Sequence, residues 1–162
     1  MIWKGLIVAS GSETPVVVVL SGSMEPAIWR GDILFLWHDP SAPYQIGEII
    51  VYAIAGRPIP IIHRVLEVRE DAPAAKGQRG KVWLLTKGDN NPTEDRALYN
   101  PDGPRSAAEG GTKLWLEESE VLGRAKGFLP RVGMLTIYLT DYPAAKFILI
   151  AVLGLFVLTS KE

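Results

Sequence analysis

The sequence predicts a mainly β domain. Runs of β-branched and aromatic residues outnumber stretches with helical periodicity, and 12 prolines and 16 glycines are scattered along the 162 residues, so that short runs alternate with turns. A single long apolar run lies near the C-terminal end. This length fits one domain with a sizeable core and an appendage.

Composition excludes several classes of function. Charges nearly cancel, 17 Lys+Arg against 18 Asp+Glu, so no nucleic-acid partner is expected. With no cysteine there is no disulfide, thiolate nucleophile or thiolate metal site. The two histidines, His38 and His63, fall in no metal-ligand spacing, so neither a metal nor any other cofactor is expected. Mean hydropathy is +0.14, high for a soluble protein.

Met1 to Ser10 is apolar, interrupted by Lys4, too short to span a bilayer and without the pattern of a signal peptide. It reads as the last turns of something longer or as a short surface anchor. A linker, Gly11 to Pro15, leads to the apolar run Val16 to Leu20, a strand. Ser21-Gly22-Ser23-Met24-Glu25-Pro26 then turns sharply with little side-chain bulk, a form that presents a hydroxyl to solvent. Arg30-Gly31-Asp32 starts a second strand, Ile33 to Trp37. Further strands are expected at Ile49 to Ile54, at Ile59 to Val68 with His63 breaking its apolar run, and at Lys81 to Thr86. Residues 69–80 and 100–112 read as solvated loops. Residues 87–96 are dense in turn formers and carboxylates, and Leu114 to Gly127 is strand material with a polar turn at Glu117 to Glu120.

The tail differs in kind. Phe147 to Leu158 is an uninterrupted apolar run of twelve residues, about 18 Å as helix at about 1.5 Å per residue, against a hydrocarbon thickness of about 30 Å. Its apolar residues surround the whole helix, which favours lipid or a partner subunit over simple packing on a core. A buried core helix is the competing reading.

Ser23, His63 and either Asp89 or Asp95 supply the inventory of an acyl-transfer triad. Serine is a weak nucleophile until a neighbour accepts its proton, neutral histidine can accept it, and a carboxylate fixes the histidine tautomer. Each residue alone has an ordinary reading: Ser-Gly-Ser as a tight turn, His63 as a satisfied strand histidine.

Ser21-Gly22-Ser23-Met24-Glu25-Pro26, Arg30-Gly31-Asp32, Ile62-His63-Arg64-Val65, Lys87-Gly88-Asp89-Asn90-Asn91 and Asp95-Arg96, in this order, resemble the catalytic subunit family of the endoplasmic reticulum signal peptidase complex. Resemblance continues through Gly123 to Pro130 and Asp141-Tyr142-Pro143 into the tail, and so covers nearly the whole chain. It implies a signal-peptidase-like all-β catalytic domain and a membrane-bound serine endopeptidase that removes signal peptides on the luminal side. It also implies three kinds of partner: signal peptides of secretory preproteins, other subunits of the complex, and the membrane. Carried over by match, Ser23 is the nucleophile, His63 the general base and Asp95 the acidic member of the relay. Asp89 is the other candidate, assigned mainly to holding its loop by accepting backbone N–H groups. The Ser23 N–H and the Ser21 hydroxyl would hold the oxyanion, and Met24 with the strands beside Ser23 would form shallow pockets for small side chains.

The division expected is residues 1–10 as the remnant of an N-terminal anchor, 11–142 as the peptidase domain and 143–162 as a membrane- or partner-contacting helix. The family normally begins with a cytosolic segment and a full transmembrane helix, whereas only Met1 to Ser10 resembles the end of that helix; a truncated gene product or an incomplete chain would account for this. Two other classes compete. A self-cleaving regulator on a related scaffold would need a lysine where this chain has His63. A noncatalytic membrane-associated β module would have no use for the carboxylate-rich loop.

Overall fold

A computed structural model describes residues 2–72, 80–100 and 111–160. Seven strands form a mainly β structure: β1 (Val16–Val18), β2 (Ile33–Trp37), β3 (Ile49–Tyr52), β4 (Ile61–Glu70), β5 (Val82–Lys87), β6 (Leu116–Glu117) and β7 (Val121–Leu129). Helix α1 (Ile2–Ser10) precedes them, and α2 (Met134–Asp141) and α3 (Pro143–Thr159) follow. The strands make one sheet in the order β1-β2-β7-β3-β4-β5-β6, with every pairing antiparallel.

Register shifts at Phe35/Leu36, Val51/Tyr52 and between Val65 and Glu67 interrupt the ladders, and such irregularities bend strands and increase their twist. The sheet curls and buries side chains on both faces. Alternate residues of β3 show this directly: Ile50 and Tyr52 join one core with Val65, Leu84 and Leu116, while Val51 joins a second with Met24, Leu34 and Leu36. That is why β3 reads as a continuous apolar run instead of alternating.

The first expected strand is shorter than its apolar run, because after Val18 the backbone turns to other partners. Val19 N–H donates to Asp32 O at 2.9 Å, and Gly31 N–H donates to Val19 O at 2.8 Å. Gly31 has φ +93°, and a Cβ there would lie 2.3 Å from Met134 Sδ, so glycine is required by both conformation and space. Asp32, 1 % exposed, accepts the Trp29 N–H through Oδ2 and the Arg131 N–H through Oδ1, each at 2.9 Å. Arg30 pairs with Asp141 at 2.8 Å, so two motifs more than a hundred residues apart meet. Arg124 fastens the segment before β3 by donating to the carbonyls of Pro43 and Ala42 and lying over the Tyr44 ring.

The polar turn after Leu116 is a 3-10 turn, Glu118–Glu120, with reciprocal capping by Glu117 and Glu120. Of the two expected loops, residues 73–79 and 101–110 lie outside the described residues. Asn100, before the second, donates to the Arg96 and Lys113 carbonyls and accepts the Lys113 N–H.

The tail is a longer helix than its apolar run, since α3 takes in Pro143 at its first turn and spans 17 residues, about 25 Å at about 1.5 Å per residue. The buried-core reading is overturned: Phe147 is 72 % exposed and Leu158 73 %. Among the described residues no single helix is long and apolar enough to cross a membrane; α2 and residues 146–159, which meet at a bend of 109°, reach that measure only together.

Removing the Asp32 carboxylate leaves the Trp29 and Arg131 N–H groups without their acceptor at the join of β1, β2 and α2. Hydrogen bonds to charged groups contribute about 1.5–3 kcal/mol each, so loss of the two in Asp32→Ala is expected to destabilise the fold by about 3–6 kcal/mol. Urea unfolding checks this, and an unchanged midpoint would mean that both donors find other partners.

Candidate active site

Between β1 and β2 the chain makes a compact turn closed by Glu25 N–H to Gly22 O at 3.2 Å and Ile28 N–H to Met24 O at 3.0 Å. Met24 anchors it: the side chain, 1 % exposed, is sunk among Val19, Ile28, Leu34 and Val51. Ser23, its neighbour, is thereby held at the surface of that core. The segment after β5 closes over it. Asn90 N–H donates to Ser23 O at 2.8 Å and the Asn90 amide donates to Gly22 O at 3.1 Å. Gly88 permits this approach, since a Cβ there would stand 2.7 Å from Ser23 O and 2.8 Å from His63 Nε2.

His63 sits in β4, in register with Ile50 of β3. Its side chain shares a face with Ile61 and Val65, which belong to the first core, so the ring is carried inward and is only 3 % exposed. Its two nitrogens have different partners. Nε2 lies 3.1 Å from Ser23 Oγ, and Nδ1 lies 2.5 Å from Asp95 Oδ2. Asp95 begins a 3-10 turn, Asp95–Ala97, whose carbonyl accepts the Leu98 N–H at 2.7 Å. The carboxylate is 1 % exposed, and Oδ2 also accepts from Thr86 Oγ1 at 2.6 Å and Tyr52 Oη at 3.1 Å. Beyond Thr86 lies Tyr99 Oη, 2.9 Å from Thr86 Oγ1. Burial pushes the Tyr99 hydroxyl up to about 12, and burial with the Asp95 charge pushes Tyr52 higher still, so both remain protonated donors at neutral pH.

Of the two candidate carboxylates, Asp95 is therefore the one against His63. Asp89 faces the next residue along β4: Arg64 Nε donates to Asp89 Oδ1 at 2.9 Å and Nη2 to Oδ2 at 2.7 Å, a bidentate pair. The expectation that Asp89 holds its loop by accepting backbone N–H groups is corrected: the described hydrogen bonds of its carboxylate come from a guanidinium. Arg64 Nη1 donates in addition to Gly47 O at 2.8 Å, so the pair ties the segment after β5 to the entry of β3. The Arg64 guanidinium holds the Asp89 carboxyl below its ordinary value of 3.8.

Ser21 Oγ lies 3.3 Å from Ser23 Oγ, and no hydrogen bond within the described residues occupies the Ser23 N–H. Both residues line a groove of about 670 Å³ whose apolar lining includes Val17, Val19, Leu20, Met24, Ile59 and Ile62. Among the described residues no group of three His, Cys, Asp or Glu could hold a metal ion.

No protein-family model matches the chain. Over all 162 residues it is 52 % identical to the rat and human proteins named signal peptidase complex catalytic subunit SEC11C, covering 76 % of each. It is 49 % identical, again over 162 residues, to the signal peptidase complex catalytic subunit sec11 of Dictyostelium discoideum, covering 81 % of it. The chain belongs to the family of signal peptidase complex catalytic subunits. It is thus a member of a peptidase family, and the mainly β fold agrees with that membership.

Sequence reasoning found Ser23, His63 and both aspartates of this family member but not Thr86, Tyr52 or Tyr99. Thr86 stands at the end of the expected strand Lys81 to Thr86 and Tyr52 within Ile49 to Ile54, and neither those strands nor the segment holding Tyr99 marks its hydroxyl as part of a site. The available signal was a hydroxyl at the end of a strand buried on both faces, which needs a partner.

Asp89→Asn is expected to cost stability more than turnover. The pair is partly exposed, so its contribution is about 1 kcal/mol. A carboxyl held low in the folded state contributes stability that is present above its unfolded value and lost as pH falls through its folded value. The parent should therefore exceed the variant in melting temperature at pH 7 and lose that advantage below about pH 4. A constant difference from pH 7 to pH 3 would exclude the ion pair as its source.

Proposed function

We propose that the chain is a serine endopeptidase that cleaves signal peptides from secretory and membrane preproteins, with Ser23 as nucleophile, His63 as general base and Asp95 as its orienting carboxylate. One observation carries this: Ser23 Oγ stands 3.1 Å from His63 Nε2 while Nδ1 stands 2.5 Å from a buried carboxylate. An ionised carboxylate can only accept, so Nδ1 carries the hydrogen and Nε2 is left with the lone pair facing serine.

Attack transfers the Ser23 proton to Nε2 as the Oγ–C bond forms. The peptide oxygen takes the electron pair and is held by the Ser23 N–H and the Ser21 hydroxyl. His63 then protonates the leaving amine as the C–N bond breaks. Water, giving a proton to His63 Nε2, then attacks the ester carbonyl; as the C–Oγ bond breaks, His63 returns the proton to Ser23 Oγ and the N-terminal fragment leaves with a free carboxyl group. The apolar groove beside β1, at the edge of the sheet, suits an extended chain with apolar or small side chains.

The names of the relatives support assembly with other subunits of a signal peptidase complex. In this reading the complex works at the endoplasmic reticulum membrane with the catalytic domain of this chain on the luminal side. In this reading residues 1–10 belong to an N-terminal anchor, 11–142 to the peptidase domain and 143–162 to a helix that meets lipid or a partner. The exposure of α3 on all sides supports the last assignment. A self-cleaving Ser–Lys device has no support here: Lys87 Nζ reaches the Gly88 carbonyl at 3.2 Å instead of Ser23.

Ser23→Ala and His63→Ala are expected to abolish cleavage of a preprotein, and Ser21→Ala to lower its rate by about 10²- to 10³-fold, the size of a lost oxyanion donor. Asp95→Asn should cost about 10⁴-fold in turnover, as a wrong histidine tautomer does, with little loss of fold. Steady-state kinetics on purified variants checks the set; an active Ser23→Ala protein would sink the reading.

Deleting residues 144–162 should weaken binding to phospholipid vesicles and lower cleavage of membrane-inserted precursors more than cleavage of short soluble peptides. Vesicle flotation and parallel assays measure both. Equal loss on the two substrates would mean that the tail supports the peptidase domain itself and does not act through the membrane.

A further inference from the structure

We infer that Thr86 and Tyr99 are positioning residues for catalysis, forming a directed chain of hydroxyls that aims the Asp95 carboxylate at His63. The inference rests on the triad proposed above.

The direction of the chain follows from counting protons. Thr86 N–H donates to Tyr99 Oη at 2.9 Å, so that oxygen is already an acceptor and its own proton points elsewhere. Thr86 Oγ1 has one proton and two oxygen neighbours besides Asp95, namely Tyr52 Oη at 3.2 Å and Tyr99 Oη at 2.9 Å. Its shortest contact is to Asp95 Oδ2 at 2.6 Å, and an ionised carboxylate cannot donate, so the Thr86 proton goes there. Tyr99 must then donate to Thr86 Oγ1, and Tyr52, with the charged Asp95 Oδ2 at 3.1 Å against the neutral Thr86 Oγ1 at 3.2 Å, donates to the carboxylate. The order is fixed: Thr86 N–H to Tyr99, Tyr99 to Thr86 Oγ1, Thr86 to Asp95, and His63 Nδ1–H to the same Asp95 oxygen.

Two features separate this from ordinary core packing. All three side-chain donors converge on one carboxylate oxygen, the one that holds His63. The donors also arrive from separate elements: Tyr52 from β3, His63 from β4, Thr86 from β5. Tyr99 adds stiffness, because its hydroxyl is pinned by the backbone of the residue it orients, and its amide N–H returns to Asp95 O at 3.3 Å. The ring of Tyr52 packs edge-on against both His63 and Tyr99, with centroids 6.4 Å and 6.2 Å apart. A loose Asp95 in this pocket would still be buried, but its oxygen could turn away from Nδ1 and release the imidazole.

The test uses the full chain, assembled with its partner subunits, and a preprotein substrate. Thr86→Val keeps shape and removes the hydroxyl; Thr86→Ser keeps the hydroxyl and removes a methyl; Tyr99→Phe removes the end of the chain. Thr86→Val is expected to lower kcat by about 10- to 100-fold with KM nearly unchanged, the size typical of the outer hydrogen-bond partners of metal-ligating histidines. Thr86→Ser should return kcat to within a few-fold of the parent, and Tyr99→Phe should fall between. If Thr86→Val melts early, Tyr99→Phe decides. Normal kcat in a folded Thr86→Val or Tyr99→Phe protein overturns the inference, and so does an equal loss in Thr86→Ser and Thr86→Val, which marks packing alone. Ser23→Ala run alongside separates the two claims: if it retains activity the triad itself fails, whereas if it is dead and Thr86→Val is normal only the positioning role fails.

Discussion

Burial of the Asp95 carboxylate is the constraint on which the rest of the structure depends. An isolated carboxylate in an apolar core is prohibitively costly, and leaving one partnerless typically destabilises by several kcal/mol. The fold answers by delivering Tyr52, His63 and Thr86 to one oxygen from three adjacent strands. Registers of β3 with β4 and of β4 with β5 are therefore fixed by polar pairing as well as by apolar packing. A slip of one residue would turn His63 outward and leave Asp95 without its closest donor.

The second constraint is closeness. Ser23 is held from below by buried Met24 and from the side by Asn90, and the absence of a side chain at Gly88 lets the two segments touch beside the imidazole. Arg64, one residue after His63, fastens the same segment through Asp89. Alternation along β4 thus sends His63 inward to one aspartate and Arg64 outward to the other.

Much of this was legible in the sequence. Valine and isoleucine runs with glycine and proline between them located most strands to within a few residues, and Glu117 to Glu120 was recognised as a turn between strands. The resemblance carried by the motifs around Ser23, His63 and Asp95 named the residues that meet; of the three only His63 interrupts an apolar run, while Ser23 and Asp95 lie in turn-rich segments. Choosing between Asp89 and Asp95 was beyond local pattern, since the two lie six residues apart in one turn-rich segment and only the tertiary path of β4 assigns one to His63 and one to Arg64. Thr86 and Tyr99 stayed hidden because threonine and tyrosine are ordinary strand and core residues. A C-terminal helix from residue 143 was expected from an apolar composition with no polar face, and α3 begins at Pro143, where a proline in the first turn has no intrahelical N–H to lose.

Contacts of the proposed centre are widely spaced in the chain: Ser23 and His63 are 40 residues apart, and His63 and Asp95 a further 32. Closing such distances carries a large loop entropy before any contact repays it, so local elements form early and this cluster late. In the proposed centre Ser23 would meet His63 only once β3, β4 and β5 have paired and the turn bearing Asp95 has docked. In a nascent or partly unfolded chain the residues of the proposed centre are all present, yet none would have the neighbour that its role requires.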